Sequence, residues 1–167
     1  MPITRLNHAV LYVRDVARSV AFYRDVLGFR IRHEIPGKAA FMLAPTSTND
    51  HDLGLFQIGA GAGPSQAGRG TVGLYHLAWE VDTLDELERI ADALRQAGSL
   101  VGASDHGTTK ALYAEDPDGI EFEVSWLLPA ELLPAEIDLV TRPLDLAAEK
   151  ARYGGQTRGG IGVSIPA

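Results

Sequence analysis

Leu6-Asn7-His8-Ala9-Val10-Leu11-Tyr12-Val13 and Leu74-Tyr75-His76-Leu77-Ala78-Trp79-Glu80-Val81 read as one apolar strand written twice, each with a histidine in third place. A helical stretch follows each copy, from Asp15 to Leu27 before Gly28, and from Leu84 to Ala97 before Gly98. Asp15 is a plausible N-cap, and Val16, Val20, Tyr23 and Leu27 recur at helical spacing. Thr83-Leu84-Asp85-Glu86 reads as a capping box ahead of the stripe Leu84, Leu87, Ile90, Ala91 and Leu94. The glycines suit the left-handed residue that closes a helix. After each helix the pattern shortens to strands near Phe29–Ile35, Ala39–Leu43 and Leu53–Ile58, and again near Leu100–Ala103, Lys110–Glu115 and Ile120–Leu127. Each half is therefore strand, helix and three strands. The expected fold is α+β: two tandem βαβββ modules, about 4–58 and 73–128, forming a curved mixed sheet around a cavity. Residues 1–128 make the paired domain and 129–167 a C-terminal extension.

Two segments fall outside the repeat. Gly59–Gly73 is rich in Gly and Ala and reads as a flexible linker or lid. Pro134–Tyr153 reads as partly helical, broken at Pro143, with Leu139, Leu144 and Leu146 available for packing. The Gly-rich tail from Gly154 reads as ragged.

At 167 residues and 46% hydrophobic composition, the chain can bury a core without staples. The absence of cysteine excludes disulfides, thiolate metal sites and a thiol nucleophile. A net charge of −7 without a Lys/Arg cluster disfavours nucleic acid and anionic membranes as partners. No apolar run reaches the roughly 18 residues of a spanning helix, and no signal-peptide core is visible. The expected setting is cytoplasmic, with a homo-oligomer as the default state.

Either histidine alone is best read as a core group satisfied by backbone hydrogen bonds. Their equivalence in a duplicated unit changes this, because two converging imidazoles suit a divalent transition metal. A third donor is available on the strand after the turn Asp116-Pro117-Asp118-Gly119, where Glu121 and Glu123 share a face opposite Ile120, Phe122 and Val124. Periodicity does not choose between them. Two histidines and one carboxylate make the facial triad of non-haem Fe(II) oxygen chemistry. His106 and His51 lie in polar loops, and His33 reads as structural. Asp52 and Asp105 are candidates to orient the histidines beside them.

The first strand together with Phe22-Tyr23-Arg24-Asp25-Val26-Leu27-Gly28-Phe29 resembles the first module of the vicinal oxygen chelate superfamily, which includes glyoxalase I, bleomycin and fosfomycin resistance proteins and extradiol catechol dioxygenases. The run His106, Leu112-Tyr113, Asp116-Pro117-Asp118-Gly119 and Glu123 resembles the pattern of type I extradiol dioxygenases. The resemblance spans roughly residues 4–127 and implies iron ligands His8, His76 and Glu123. It further implies that Tyr113 and His106 hold the bound catecholate and that His51 serves acid–base chemistry. The implied activity is Fe(II)-dependent extradiol ring cleavage of a small aromatic diol with O2; the same donors accept Mn(II). Ile120 and Asp50 depart from the usual pattern, and one module pair stands where many relatives have two.

Two alternatives are a glyoxalase-like metal-dependent isomerase, epimerase or thiol transferase, and a non-catalytic protein that binds an aromatic antibiotic. Glyoxalase-like members use a fourth protein ligand from the last strand of the first module. Counting the His76-to-Glu123 offset from His8 lands on Leu55, and only Gln57 nearby could coordinate. A three-ligand site favours the dioxygenase. Trp79, Tyr12, Phe41 and Met42 are candidates for a pocket wall.

Overall fold

In the computed structural model, which describes residues 2–3, 5–67, 70–136 and 140–160, the duplicated pattern becomes two modules with one strand order. The first runs β1 (Ala9–Val13), α1 (Val16–Asp25), β2 (Arg30–Ile35), β3 (Ala39–Leu43) and β4 (Leu53–Gln57). The second runs β5 (Leu77–Glu80), α2 (Leu84–Gln96), β6 (Leu100–Asp105), β7 (Thr109–Glu115) and β8 (Glu121–Leu127). The sheets are ordered β1-β4-β3-β2 and β5-β8-β7-β6. In each, the last strand returns parallel to the first while the other pairs are antiparallel. The fold is thus α+β with two βαβββ modules carrying mixed sheets. By contacts, the chain divides into unit 1, Met1–Ser65 with Asp116–Gly119, and unit 2, Gln66–Glu115 with Ile120–Ala167.

Capping fixes where the helices start. The Asp15 side chain accepts from Arg18 N–H, and the Thr83 hydroxyl accepts from Glu86 N–H. Each strand then sorts its residues by face. In unit 1, Leu11, Val13, Ala40, Met42, Leu53 and Leu55 are buried on the side that takes Val16, Val20 and Tyr23 of α1. In unit 2, Leu112, Ala114, Phe122, Val124 and Trp126 do the same beneath the α2 stripe. Each Val, Leu, Met or Phe among them contributes about 1.5–3 kcal/mol of burial. Among the described residues the helix of each module covers only this one face of its sheet. Met42 lies on the helix side, fully buried, so it is core rather than pocket wall.

The ends differ from expectation. β1 and β5 begin one residue after His8 and His76, so both histidines sit at the strand entrance. Pro143 does not break a helix. It lies in a two-residue strand, β9 (Arg142–Pro143), that pairs with the β6 edge, where a proline costs no ladder bond in a central strand. A short 3-10 turn spans Ala130–Leu132, and the helix of the extension is α3 (Leu146–Tyr153), with Leu144 and Leu146 half-buried. Leu139 lies outside the described residues. From Gly154 to Gly160 the tail is held rather than ragged: Gly159 N–H donates to Asp82, Gly160 N–H to Leu127, and the Trp126 indole N–H to the Thr157 carbonyl. Within the described part of Gly59–Gly73 there is neither helix nor an extended strand, and Arg14 Nε donates to the Ala62 carbonyl at 2.9 Å. Among the described residues no helix is long and apolar enough to cross a membrane.

Candidate metal centre

The face turned away from each helix carries the polar chemistry. In unit 2, β8 pairs with β5 and β7 so that Glu123 stands between Ala78 and Tyr113. Phe122 and Val124 go to the helix side, fully buried, which sends Glu121 and Glu123 to the open face. The side-chain contact made by His76, rather than the register, then separates the two acids. Glu123 lies opposite Ala78, two residues past His76, whereas Glu121 lies opposite Glu115 toward the strand end. His76 Nε2 approaches Glu123 Oε2 at 3.3 Å, with side chains 24% and 13% exposed.

This pair fits a cation better than it fits a core. Two donors each about 2.0–2.1 Å from one ion, at right angles, lie about 3 Å apart. The other ring nitrogen, Nδ1, is buried without a hydrogen-bond partner. A structural core histidine is normally satisfied by the backbone; His76 is not, so the expectation of a satisfied core group fails for it.

Tyr113 extends the cluster. Burial raises the Tyr113 phenol above its usual range, and the neighbouring Glu123 carboxylate adds to this. Its hydroxyl lies 2.9 Å from His106 Nε2. His106 Nδ1 faces the Val140 carbonyl and Thr141 Oγ1, both at 3.2 Å. His76, Glu123, Tyr113 and His106 therefore form a continuous polar line within unit 2. Asp105 does not orient His106. Its carboxylate instead takes the Gly107 N–H at 2.8 Å and the buried Lys110 ammonium at 2.5 Å.

In unit 1, the His8 and His51 rings lie against each other, tilted by 37°, with centroids 4.4 Å apart. His8 is exposed, and its Nδ1 lies 2.7 Å from Asn7 Oδ1. His51 Nδ1 lies 3.0 Å from Asp50 Oδ2, and this contact holds the Asp50 carboxyl below the usual range. Asp50, noted in the sequence only as a departure from the family pattern, is thus the partner of His51 in place of Asp52. Asp52 ties down its own loop, accepting from Ala44 N–H, Ser47 Oγ and Asn49 Nδ2. Phe41 meets His51 edge-on at 5.2 Å, Phe56 at 5.8 Å, and stacks on His33 at 6.3 Å. Tyr12 and Val10 lie exposed on the same face.

The register corrects the counting argument made on the sequence. Leu55 points to the helix side and is fully buried. Val10, two residues past His8, pairs with Gly54, as Ala78 pairs with Glu123. The counterpart of Glu123 is therefore Gly54, which has no side chain at all. Gln57 is also occupied: its Oε1 accepts from Val16 N–H at 3.1 Å, at the start of α1. Among the described residues no three His, Cys, Asp or Glu side chains are grouped closely enough to hold a metal ion. Unit 2 supplies a histidine–carboxylate pair, and unit 1 a histidine pair.

The turn Asp116–Gly119 has a different use from the one its place in the motif suggests. It belongs to unit 1, where Asp118, its side chain 5% exposed, accepts from Arg14 N–H and Nη1 at 2.9 Å and from Arg18 Nη2 at 2.7 Å. Asp116 accepts from the buried Tyr23 hydroxyl at 3.2 Å. These two acids are structural clasps.

Comparison with known proteins agrees with this architecture. The family model described as Glyoxalase/Bleomycin resistance protein/Dioxygenase superfamily matches residues 5–124. The chain is 31% identical over 158 residues to metapyrocatechase 2 of Cupriavidus necator, covering 89% of this chain and 43% of that protein. It is 33% identical over 125 residues to lactoylglutathione lyase of Neisseria meningitidis, covering 71% of this chain and 88% of that protein. The chain thus spans less than half the length of the first of these relatives. A glyoxylase/bleomycin resistance protein/dioxygenase domain from Frankia sp. has a TM-score of 0.63 at 22% identity, covering 74% of this chain and 92% of that one, which is a likeness of fold.

Proposed function

This chain belongs to the Glyoxalase/Bleomycin resistance protein/Dioxygenase superfamily, and within it we propose that the protein cleaves the ring of a catechol beside its two hydroxyls, consuming O2. We assign His8, His76 and Glu123 as the ligands of Fe(II), one from the first module and two from the second. When bound, the ion supplies a Lewis acid that lowers the pKa of the catechol hydroxyls and an electron path between ring and O2.

The protein's own groups do the rest. Glu123 brings the one negative charge among the three donors, so the loaded site keeps a charge near +1 to attract a catecholate. Tyr113 and His106 orient the substrate oxygens. His51, its Nδ1 engaged by Asp50, offers Nε2 to take and return a proton. Phe41, Phe56 and Tyr12 on the open face of the first sheet suit an uncharged aromatic ring.

The observation that carries the reading is Gly54 in the position matching Glu123. A site with three protein donors keeps three coordination positions free, enough for both substrate oxygens and O2. One observation favours a glyoxalase-like reading: the chain covers 88% of a lactoylglutathione lyase but 43% of a metapyrocatechase. That chemistry would need a fourth donor, and with position 54 a glycine and Gln57 engaged by α1, the first module's last strand offers none.

The test is anaerobic reconstitution with Fe(II), and separately Mn(II), followed by a catechol panel in air. The expected result is a yellow ring-opened product and stoichiometric O2 uptake. No product from any catechol, together with metal-dependent isomerisation of a hemithioacetal, would replace this reading with the glyoxalase-like one.

A further inference from the structure

The match to the family model ends at residue 124, yet the described chain beyond it reaches the candidate site. We propose that Val140 and Thr141 of the C-terminal extension are positioning residues for His106, holding its ring and fixing its neutral form with the proton on Nδ1.

The argument is one of donors and acceptors. A neutral imidazole has one N–H and one bare nitrogen. The Val140 carbonyl can only accept, and it lies 3.2 Å from His106 Nδ1. Thr141 Oγ1 lies at the same distance and can accept the same proton in a shared bond. Nδ1 therefore carries the hydrogen. Nε2 is left bare 2.9 Å from the Tyr113 hydroxyl, whose single proton it shares with the Glu123 carboxylate.

The segment is built to stay there. β9 pairs Arg142 with Asp105 and Pro143 with Ser104, and the same register extended by one residue sets Thr141 opposite His106. His106 itself opens a tight turn, with its N–H donating to the Thr109 carbonyl at 2.8 Å and Gly107 in the left-handed region. Farther along the chain, α3 is pinned by Glu149 to buried Lys110 at 2.9 Å, and by Lys150 to Asp85 at 2.8 Å and Glu88 at 2.5 Å. The extension is thus fastened twice on the C-terminal side of its contact with His106.

The bearing on ring cleavage rests on the function proposed above; the proton position does not, and it is read on the metal-free protein. Long-range proton–nitrogen correlation spectra of the histidine-labelled chain at pH about 8.5, roughly two units above an ordinary imidazole pKa, report the form of each ring. His106→Gln identifies the signals by their loss. The expected result is a single Nδ1–H form for His106, retained in Tyr113→Phe, with an Nε2–H population appearing in Thr141→Val and disappearing again in Thr141→Ser. An Nε2–H ring in the wild-type protein, or a Thr141→Val spectrum identical to wild type at His106, overturns the proposal. An Nδ1–H ring in a protein that cleaves no catechol leaves this inference standing and removes the function; cleavage with an Nε2–H ring does the reverse.

Discussion

Two glutamates separated by one residue illustrate what a single position decides. Glu121 and Glu123 have the same chemistry and share a face, but only Glu123 is brought beside His76. Under the proposed assignment, Glu123→Ala loses retained iron, measured as metal per chain after desalting the Fe(II)-loaded protein, while Glu121→Ala keeps it. The opposite pattern would reassign the ligand. The same logic makes Gly54 informative. Its Cβ would stand 3.3 Å from Val10 Cγ2, so the position is tight as well as empty. A donor there would have to displace a neighbour on β1.

Among the elements, the helices were legible because their signals are local. A cap residue, an apolar stripe and a closing glycine lie within one stretch of chain, and the observed helices start where Asp15 and Thr83 place them. Thr83→Ala is expected to lower stability by about 1 kcal/mol through loss of the cap bond, read from urea unfolding. Most strands were legible to within a residue or two for the same reason, since alternation marks them one at a time; β1 and β5 start three residues later than read. What alternation leaves open is pairing. The Leu55 assignment failed because counting along the chain ignores which residue of the neighbouring strand stands alongside, and a slip of one residue turns a side chain to the other face. Asp118 escaped notice likewise: its three contacts to Arg14 and Arg18 are about 100 residues distant in sequence.

On the scale of the molecule, the extension is bound into unit 2 through charge and close backbone approach. Lys110, its side chain 1% exposed, lies between Asp105 and Glu149. Burial pushes the Asp105 carboxyl up, but Lys110, the Gly107 N–H and Arg142 outweigh it and hold it below its ordinary 3.8. A depressed carboxyl stabilises the fold fully above its unfolded value and loses that contribution as pH falls through the folded one. Asp105→Asn should therefore lower stability by about 3 kcal/mol at neutral pH, with Glu149 still facing the lysine. The gap to wild type in urea unfolding should stay level from about pH 8 to 5 and close below about pH 4. A gap that widens in acid would contradict the assignment. The tail gives a separate handle. A Cβ on Gly159 would collide with the Leu127 carbonyl and the Trp126 indole. Gly159→Ala is expected to free the tail from Trp126 and shift its fluorescence to the red, at a cost of about 1–3 kcal/mol.

By itself the sequence determined the duplicated βαβββ plan, the helix limits, the acidic cysteine-free character and the residue types on offer for a metal, because each rests on periodicity or chemistry contained in a short stretch. Only the tertiary structure decided which acid accompanies His76, that Gly54 is its counterpart, that Asp50 serves His51, and that Val140 and Thr141 serve His106. Those are pairings across strands and across tens of residues, set by sheet register and packing, and no local pattern encodes them.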